Sequence, residues 1–200
     1  VKSCMMNYNL PKNLSELSSI SKGDYPVDKW EGAVNFVIIE DHIALIKRSE
    51  TMPSHSGQIG LFGGHRKPEE LDPIETALRE FQEETSISSD RLAVKGLVLP
   101  VKTSRNKWII PVVSEFEGSI KNFSEIVESN GEWDNLVLAP LDLLKDHTLW
   151  QHAQTESSTS THAIFFLPLL KEHCIYLHEA EETFLLWGAT AKMTLNFFQK

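Results

Sequence analysis

The stretch that decides the fold runs from Gly63 to Ile87 and reads GGHRKPEELDPIETALREFQEETSI. Asp72 suits a helix N-cap, Pro73 suits the first helical position, and Glu75 lies three residues after the cap, as in a capping box. Apolar or small side chains then recur at helical spacing, at Ile74, Ala77, Leu78, Phe81 and Thr85. We therefore predict a helix over 72–86 that packs one face against a sheet.

A second face of this helix is acidic, because Glu80, Glu83 and Glu84 stand at positions i, i+3 and i+4. One interpretation is a solvated outer face, where each like-charge pair costs only a few tenths of a kcal/mol. The other is a carboxylate cluster for a hard divalent cation such as Mg²⁺, which binds carboxylate and phosphate oxygens together. Arg79 is placed to orient a carboxylate from one turn away, near Glu75 and Glu83. The glycine pair ahead of the helix permits close approach of the backbone to a ligand or metal, and together with Arg79 it favours the cluster.

Short β-branched runs surround the helix. Residues 33–39 and 43–47 predict a hairpin, and 49–64, rich in Ser, Gly and Pro, predicts a long loop. Further strands are predicted at 92–99, 108–116, 163–170 and 174–177, with an apolar run at 136–138. Other helices are predicted at 14–20, 141–144 and 182–199. This pattern is typical of a mixed sheet covered by helices.

Composition excludes several classes of protein. The 200 residues are 41% hydrophobic and carry a net charge of −9, which is ordinary for a globular chain but wrong for coating nucleic acid or for an electrostatic membrane anchor. Cys4 and Cys174 form neither a disulfide framework nor a CxxC pair. Residues 1–15 show no secretion signal and the chain has no 18-residue apolar run, so we expect a cytoplasmic protein that binds neither nucleic acid nor membrane.

The helix sequence resembles the Nudix box, whose pattern is G-x5-E-x7-R-E-U-x-E-E-x-G-U with U apolar. The run REFQEE at 79–84 matches its core position by position. The spacing between Gly64 and Arg79 is one residue longer than in the pattern, and Glu70 is the best match to the first acid of the pattern. Ser86 replaces the final glycine. The resemblance implies a Nudix-type α/β/α sandwich (α/β, α+β class) with a mixed β-sheet between helices. It covers 32–200 and leaves 1–31 as an N-terminal segment.

The residues upstream of the box resemble the second motif of the coenzyme A diphosphatases, L-L-T-x-R-[SA]-x3-R-x3-G-x3-F-P-G-G. Arg48–Ser49, Gly57 and Gly63–Gly64 stand in its register. Pro53 replaces the second arginine, and Leu61–Phe62 replaces the Phe-Pro pair. The Glu-Trp pair at 132–133, ahead of Pro-Leu at 140–141, and the run LWGATA at 186–191 also resemble segments of this branch. The chain is therefore most similar to coenzyme A diphosphatases.

This resemblance implies roles for named residues. Metal ligands for Mg²⁺ or Mn²⁺ would be Glu80, Glu83, Glu84 and the backbone of Gly64. Arg79 would belong to the catalytic group, and the general base would be Glu83 or the loop acid Glu132. Arg48 would pair with outer phosphates, as would Lys102, Arg105 or Lys107 if they are not simply solvated. The remaining substrate-binding residues would be Ser49, Gly57, Gln58 and Gly63. The family also allows a homodimer.

Three functions stay open at this point. The first is hydrolysis of coenzyme A or acyl-CoA to 3′,5′-ADP and 4′-phosphopantetheine. The second keeps the chemistry but takes ADP-ribose, a nucleotide sugar or another nucleoside diphosphate derivative, which the loss of arginine at Pro53 favours. The third is a non-catalytic module that binds a nucleotide, which the intact run of box acids disfavours.

Overall fold

The computed structural model describes residues 29–103, 106–146, 148–152, 173–179 and 182–198. Sequence predictions that fall elsewhere lie outside the described residues. They are the helix at 14–20, the strand at 163–170, Cys4 and Arg105.

Eight strands form the main sheet. They are β1 (Trp30–Ile39), β2 (His42–Arg48), β3 (Ile59–Gly60), β4 (Phe62–His65), β5 (Leu92–Leu97), β6 (Val101–Lys102), β7 (Trp108–Phe116) and β8 (Trp133–Pro140). The order is β3-β2-β1-β7-β5, with β4 also paired to β1, β6 to β7 and β8 to β2. The β1–β7 pair is parallel, while the other pairs are antiparallel, so the sheet is mixed as predicted.

In the part of the chain that the structure describes, the remaining elements are four α-helices and a small second sheet. The helices are α1 (Pro73–Thr85), α2 (Ile120–Ile126), α3 (Leu141–Lys145) and α4 (Gly188–Phe198), and a 3₁₀ turn spans Ser89–Arg91. The second sheet is antiparallel and contains β9 (Gln151–His152), β10 (His173–Glu179) and β11 (Glu182–Leu186). No helix within the described residues is long and apolar enough to cross a membrane.

The helices cover both faces of the main sheet. On one face, Phe81 of α1 and Phe123 of α2 pack in one cluster with Val37 and Phe62. On the other face, α3 and α4 contribute Leu144 and Phe197 to a cluster with Phe36 and Leu45. Alternate residues of β1 thus bury into opposite layers, as the two-residue period of a strand requires. The predicted α/β/α sandwich is confirmed.

Helix α1 begins and ends where the sequence predicts. Asp72 caps it, since Asp72 Oδ1 accepts a hydrogen bond from the Ile74 N–H at 3.0 Å. Ser86 ends it in the left-handed conformation, with φ of 60°. The capping box differs in one detail, because Glu75 accepts from the N–H of Leu71, one residue before the cap.

Two predicted elements are wrong. The stretch at 49–64 is not loop throughout, because β3 and β4 occupy its end. The sequence prediction misses strand β4 because its two glycines have no apolar side chains. They nevertheless pair with Ala33 and Val34 of β1. The helix at 182–199 starts only at Gly188, and the residues before it form β11. Phe184 and Leu186 are buried and Thr183 is exposed, which is the two-residue period of a strand.

Candidate active site

The glycine pair of β4 seats two carboxylates of α1 against the sheet. A Cβ atom on Gly64 would lie 2.5 Å from Glu80 Cδ, so only glycine leaves room for that carboxyl group. Gly63 has φ of 147°, and its N–H donates to Glu84 Oε2 at 2.8 Å. Glycine is required here by backbone conformation as well as by space. The sequence predicts that this pair lets the backbone approach a ligand or metal; in the structure the pair contacts the carboxyl groups of Glu80 and Glu84.

Arg79 holds three carboxylates in place from the centre of α1. Its guanidinium lies 2.6 Å from Glu70 Oε1, 2.8 Å from Glu80 Oε1 and 2.7 Å from Glu83 Oε2. Arg79 Nη2 also donates to the carbonyl of His65, at the end of β4. Arg79 therefore orients acids of the helix, as the sequence suggests; Glu75 has a different partner.

Glu70 fixes the loop before α1 to the helix. It is buried, and it accepts hydrogen bonds from Arg79, from the Thr76 hydroxyl at 2.6 Å and from the Lys67 N–H at 2.8 Å. Burial alone would raise the pKa of Glu70, but these hydrogen bonds outweigh it and lower the pKa to about 2. The carboxylate stays ionised and gives Arg79 a permanent partner.

The acidic face is not a uniform solvated surface. Glu84 is only 2% exposed, whereas the Glu83 side chain is 49% exposed. Burial raises the pKa of Glu84 to about 8, and the charges of Glu80 and Glu132 add to the rise. Burial likewise raises the pKa of Glu80, and the hydrogen bond and positive charge of Arg79 offset part of this rise. The interpretation of this face as plain acidic surface is therefore wrong for Glu80 and Glu84.

Glu83 occupies a different environment. It accepts from Lys67 Nζ at 3.2 Å and from Arg79 Nη1 at 2.7 Å. The slight burial of Glu83 would raise its pKa, but these two cationic partners lower it. Lys67 was not singled out by sequence analysis, since a lysine in a turn has no signal of its own.

A second group of predicted residues meets at the end of β2. The loop after Arg48 returns to it, because the Gly57 N–H donates to the Arg48 carbonyl and the Arg48 N–H donates to the Gln58 carbonyl. The Ser49 N–H donates to the Glu132 carbonyl at 2.8 Å. The five residues Arg48, Ser49, Gly57, Gln58 and Glu132 are thus brought together across β2 and β8. Arg48 Nε is buried without a hydrogen-bond partner among the described residues.

The two groups lie side by side. The positive charge of Arg48 and the negative charge of Glu132 both act on Glu84. Trp133 joins them, because its indole Nε1 donates to the carbonyl of Glu84 at 2.8 Å. Sequence analysis matched Trp133 to a family segment but assigned it no role. Its contact joins residues 49 positions apart, which local patterns do not reveal.

The residues present fit a hard divalent cation. Their donors are carboxylate oxygens beside a glycine backbone, which is the chemistry that Mg²⁺ and Mn²⁺ prefer. Half-buried Glu80 and buried Glu84 repel each other and Glu132, and a cation among them would relieve that repulsion. Within the described residues, however, no three Asp, Glu, His or Cys side chains are already gathered in ligating geometry. Instead, Arg79 pairs with Glu80 and Glu83, Lys67 also pairs with Glu83, and the Gly63 N–H donates to Glu84.

Comparison with known proteins defines the class and then the family. Residues 29–156 match the family model described as NUDIX domain, which spans more than half of the chain. The protein is a hydrolase that acts on phosphoric anhydride bonds of small nucleoside diphosphate derivatives. The chain belongs to the NUDIX family, whose enzymes generally use divalent metal ions.

The relatives found by sequence and by structure are distant. The chain is 26% identical over 161 residues to the uncharacterized Nudix hydrolase NudL of Yersinia pestis (strain Pestoides F), covering 80% of this chain and 73% of that protein. Among solved structures, a C. elegans Ap4A hydrolase binary complex is 18% identical over 56% of this chain and 81% of that one, with a TM-score of 0.47. The MutT protein of Methanosarcina mazei Go1 is 22% identical over 58% and 80%, with a TM-score of 0.44.

Proposed function

We propose that the protein is a metal-dependent diphosphatase of coenzyme A or acyl-CoA, which releases 3′,5′-ADP and 4′-phosphopantetheine. One observation carries the proposal. The loop from Arg48 to Gln58, which resembles the coenzyme A motif, closes beside Glu84 and Glu132. Arg48 thus lies next to the carboxylates that would act on the diphosphate, and its charge suits a phosphate oxygen.

The roles of the acids follow from their partners. Glu80, Glu83, Glu84 and the Gly64 carbonyl would hold Mg²⁺ or Mn²⁺. A bound divalent ion neutralises the diphosphate and lowers the pKa of water. Arg79 is a positioning residue, because it forms ion pairs with three glutamates.

Glu132 is the stronger candidate for the general base. Glu83 is engaged by Lys67 and Arg79, and its lowered pKa makes it a poor proton acceptor. Glu132 is half-buried, and its carboxylate accepts a hydrogen bond from the neutral side-chain amide of Asn130 at 3.3 Å. Its carboxylate is therefore better able to take a proton from water.

A second substrate class has one observation in its favour. Pro53 stands where the coenzyme A motif has its second arginine, so one anion contact of that motif is missing. ADP-ribose, a nucleotide sugar or another nucleoside diphosphate derivative would not need it.

Hydrolysis of a substrate panel decides between these candidates. Coenzyme A, acetyl-CoA, ADP-ribose, NADH and a nucleotide sugar are incubated with Mg²⁺ or Mn²⁺, and the products are separated by chromatography. We expect coenzyme A to be cut to 3′,5′-ADP ahead of the others. Faster cleavage of ADP-ribose or the sugar nucleotide would contradict the coenzyme A assignment, and no cleavage at all would favour a nucleotide-binding module.

The proposal also covers the localisation, partners, oligomeric state and domain bounds of the enzyme. We infer a cytoplasmic, metal-dependent protein without nucleic-acid or membrane partners, which forms a homodimer. The domain would span 32–200 after an N-terminal segment at 1–31.

A further inference from the structure

A cavity of about 460 Å³ opens at the start of β1 and β7, away from the carboxylates of α1. It is lined by Lys29, Trp30, Glu31, Lys102, Asn106 and Trp108. Trp108 is the register partner of Trp30 in β1 and of Lys102 in β6. Register partners in neighbouring strands project from the same face of a sheet. Two indoles and a lysine therefore stand in one row beside the cavity.

The cavity is cationic in a protein whose net charge is −9. Lys29 and Lys102 are both exposed, and within the described residues neither contacts a carboxylate, whereas Lys67, Lys95, Lys107, Lys121 and Lys145 all do. Glu31, the acid of the cavity, is already paired with Lys107. Two unpaired ammonium groups at one opening attract an anion.

Aromatic surface accompanies this charge. Lys102 Nζ lies 5.5 Å from the ring centroid of Trp108, which is half-buried. Trp30 is 2% exposed, and its indole Nε1 has no hydrogen-bond partner among the described residues. Indole faces stack on nucleobases. An anionic ligand with an aromatic ring fits such a surface better than a bare phosphate does.

Strand β1 runs from the cavity to the carboxylates of α1. Ala33 pairs with Gly64, where Glu80 is seated, and Trp30 lies three residues earlier, roughly 10 Å along the strand. The Glu31 carbonyl also accepts from the N–H of Arg66, just after β4. One nucleoside spans this separation, so a diphosphate at the glutamates would bring its nucleoside to the cavity.

We propose that this cavity binds the 3′-phosphorylated nucleoside of the substrate, with Lys29 and Lys102 on the 3′-phosphate and Trp108 against the base. The proposal rests on the proposed function and deepens it, since a 3′-phosphate distinguishes coenzyme A from ADP-ribose. The two lysines are then the specificity residues of the enzyme, and they replace the anion contact that Pro53 removes from the loop.

The test compares coenzyme A with dephospho-coenzyme A, which lacks only the 3′-phosphate. Wild-type enzyme should have the higher kcat/KM for coenzyme A. The double variant Lys29→Ala/Lys102→Ala should lose about tenfold to 100-fold in kcat/KM for coenzyme A, the loss expected for charge-assisted contacts. Its ratio of coenzyme A to dephospho-coenzyme A turnover should fall towards one. Lys192→Ala is the matched control and should keep the wild-type ratio, because Lys192 is an exposed lysine on α4 that forms no ion pair with another described residue.

Binding of 3′,5′-ADP and of AMP without metal, followed by tryptophan fluorescence, is the second readout. We expect wild-type protein to bind 3′,5′-ADP more tightly and the double variant to lose that difference. An unchanged ratio and unchanged binding in the double variant would overturn the cavity assignment while leaving diphosphatase activity in place. If neither coenzyme A nor dephospho-coenzyme A is cut, the proposed function fails, and the binding measurement still decides whether the cavity takes a 3′-phosphate.

Discussion

Ser86 holds a backbone conformation that serine rarely adopts. Its φ of 60° ends α1, and its N–H donates to the Gln82 carbonyl. Glycine adopts left-handed angles without steric cost, and the Nudix pattern has glycine at this position. Ser86 is exposed and lies in the turn that follows the helix.

 Replacing Ser86 therefore changes the end of the helix and leaves the carboxylates of α1 where they are.

Ser86→Gly should raise the free energy of unfolding by roughly 0.5–1 kcal/mol, because it relieves the left-handed strain at the cost of some chain entropy. Urea unfolding of both proteins measures the difference. Ser88→Gly is the matched control, since Ser88 has φ of −57° and caps the 3₁₀ turn, and it should lower stability instead. A loss of stability in Ser86→Gly would contradict the strain argument.

Glu84 is a buried carboxylate that a stability argument alone does not explain. Burial of a charge costs free energy, and the only hydrogen bond to its carboxylate that the described residues provide is the Gly63 N–H. Such a residue is expected to serve function at some cost in stability.

Glu84→Gln should leave the free energy of unfolding unchanged or higher, while kcat at saturating Mg²⁺ falls by about 100-fold or more. The amide keeps the shape and the contact with Gly63 but gives up the charge. Glu75→Gln, at an exposed glutamate of the same helix, should retain full activity. Normal activity of Glu84→Gln with normal metal dependence would remove Glu84 from the proposed ligand set.

At the scale of elements, the loop after β4 and helix α1 act as one unit. Glu70 in the loop and Arg79 in the helix form a largely buried ion pair, and Arg79 also reaches the His65 carbonyl at the end of β4. Removing one member of such a pair leaves the other charge uncompensated. The position of Glu80 and Glu83 thus depends on a residue outside the helix.

Glu70→Gln should lower the free energy of unfolding at pH 7 by about 2–3 kcal/mol. The pKa of Glu70 is depressed in the folded protein, so its contribution is present above the unfolded value of 4.5 and is lost as pH falls towards about 2. Urea unfolding at pH 7 and pH 3 should therefore show a smaller difference between wild type and variant at the lower pH. Glu69→Gln, at the exposed neighbour, should follow wild type at both values. A difference that does not depend on pH would exclude the ion pair as its cause.

The elements differ in how well sequence predicts them. Helix α1 carries its own signals, namely the Asp72 cap and an apolar stripe, so its bounds and its acids follow from local pattern. Strand β4 does not, because Gly63 and Gly64 have no side chains and show their strand character only when paired with β1. The hydrogen bond from Trp133 to Glu84 and the return of the 49–58 loop to Arg48 likewise depend on tertiary structure.

At the scale of the whole molecule, α4 covers the face of the sheet opposite α1. Phe197 stacks on Phe36 of β1, with ring centroids 5.2 Å apart, and is 6% exposed. Because β1 carries side chains into both layers, packing under α4 also supports the strand to which β4 and its glycines pair.

Phe197→Ala should lower the free energy of unfolding by about 3 kcal/mol through the cavity it leaves. Calorimetry or urea unfolding measures this loss, and Lys192→Ala on the exposed side of α4 is the control that should cost little. A loss below roughly 1 kcal/mol in Phe197→Ala would mean that α4 contributes little to the sandwich.

The parallel pairing of β1 with β7 has a consequence for synthesis of the chain on the ribosome. Residues 37–39 can form a hairpin with β2 at once, and residues 32–35 pair with β4 when residues 62–65 emerge. The partner for the other edge of β1 is made only when residues 108–116 emerge. Until then one edge of an almost wholly apolar strand has no partner, and open apolar edges recruit other chains. Nascent or truncated chains that stop before residue 108 are therefore expected to aggregate and to require chaperones. The full-length protein is not expected to do so, because β7 then pairs with β1.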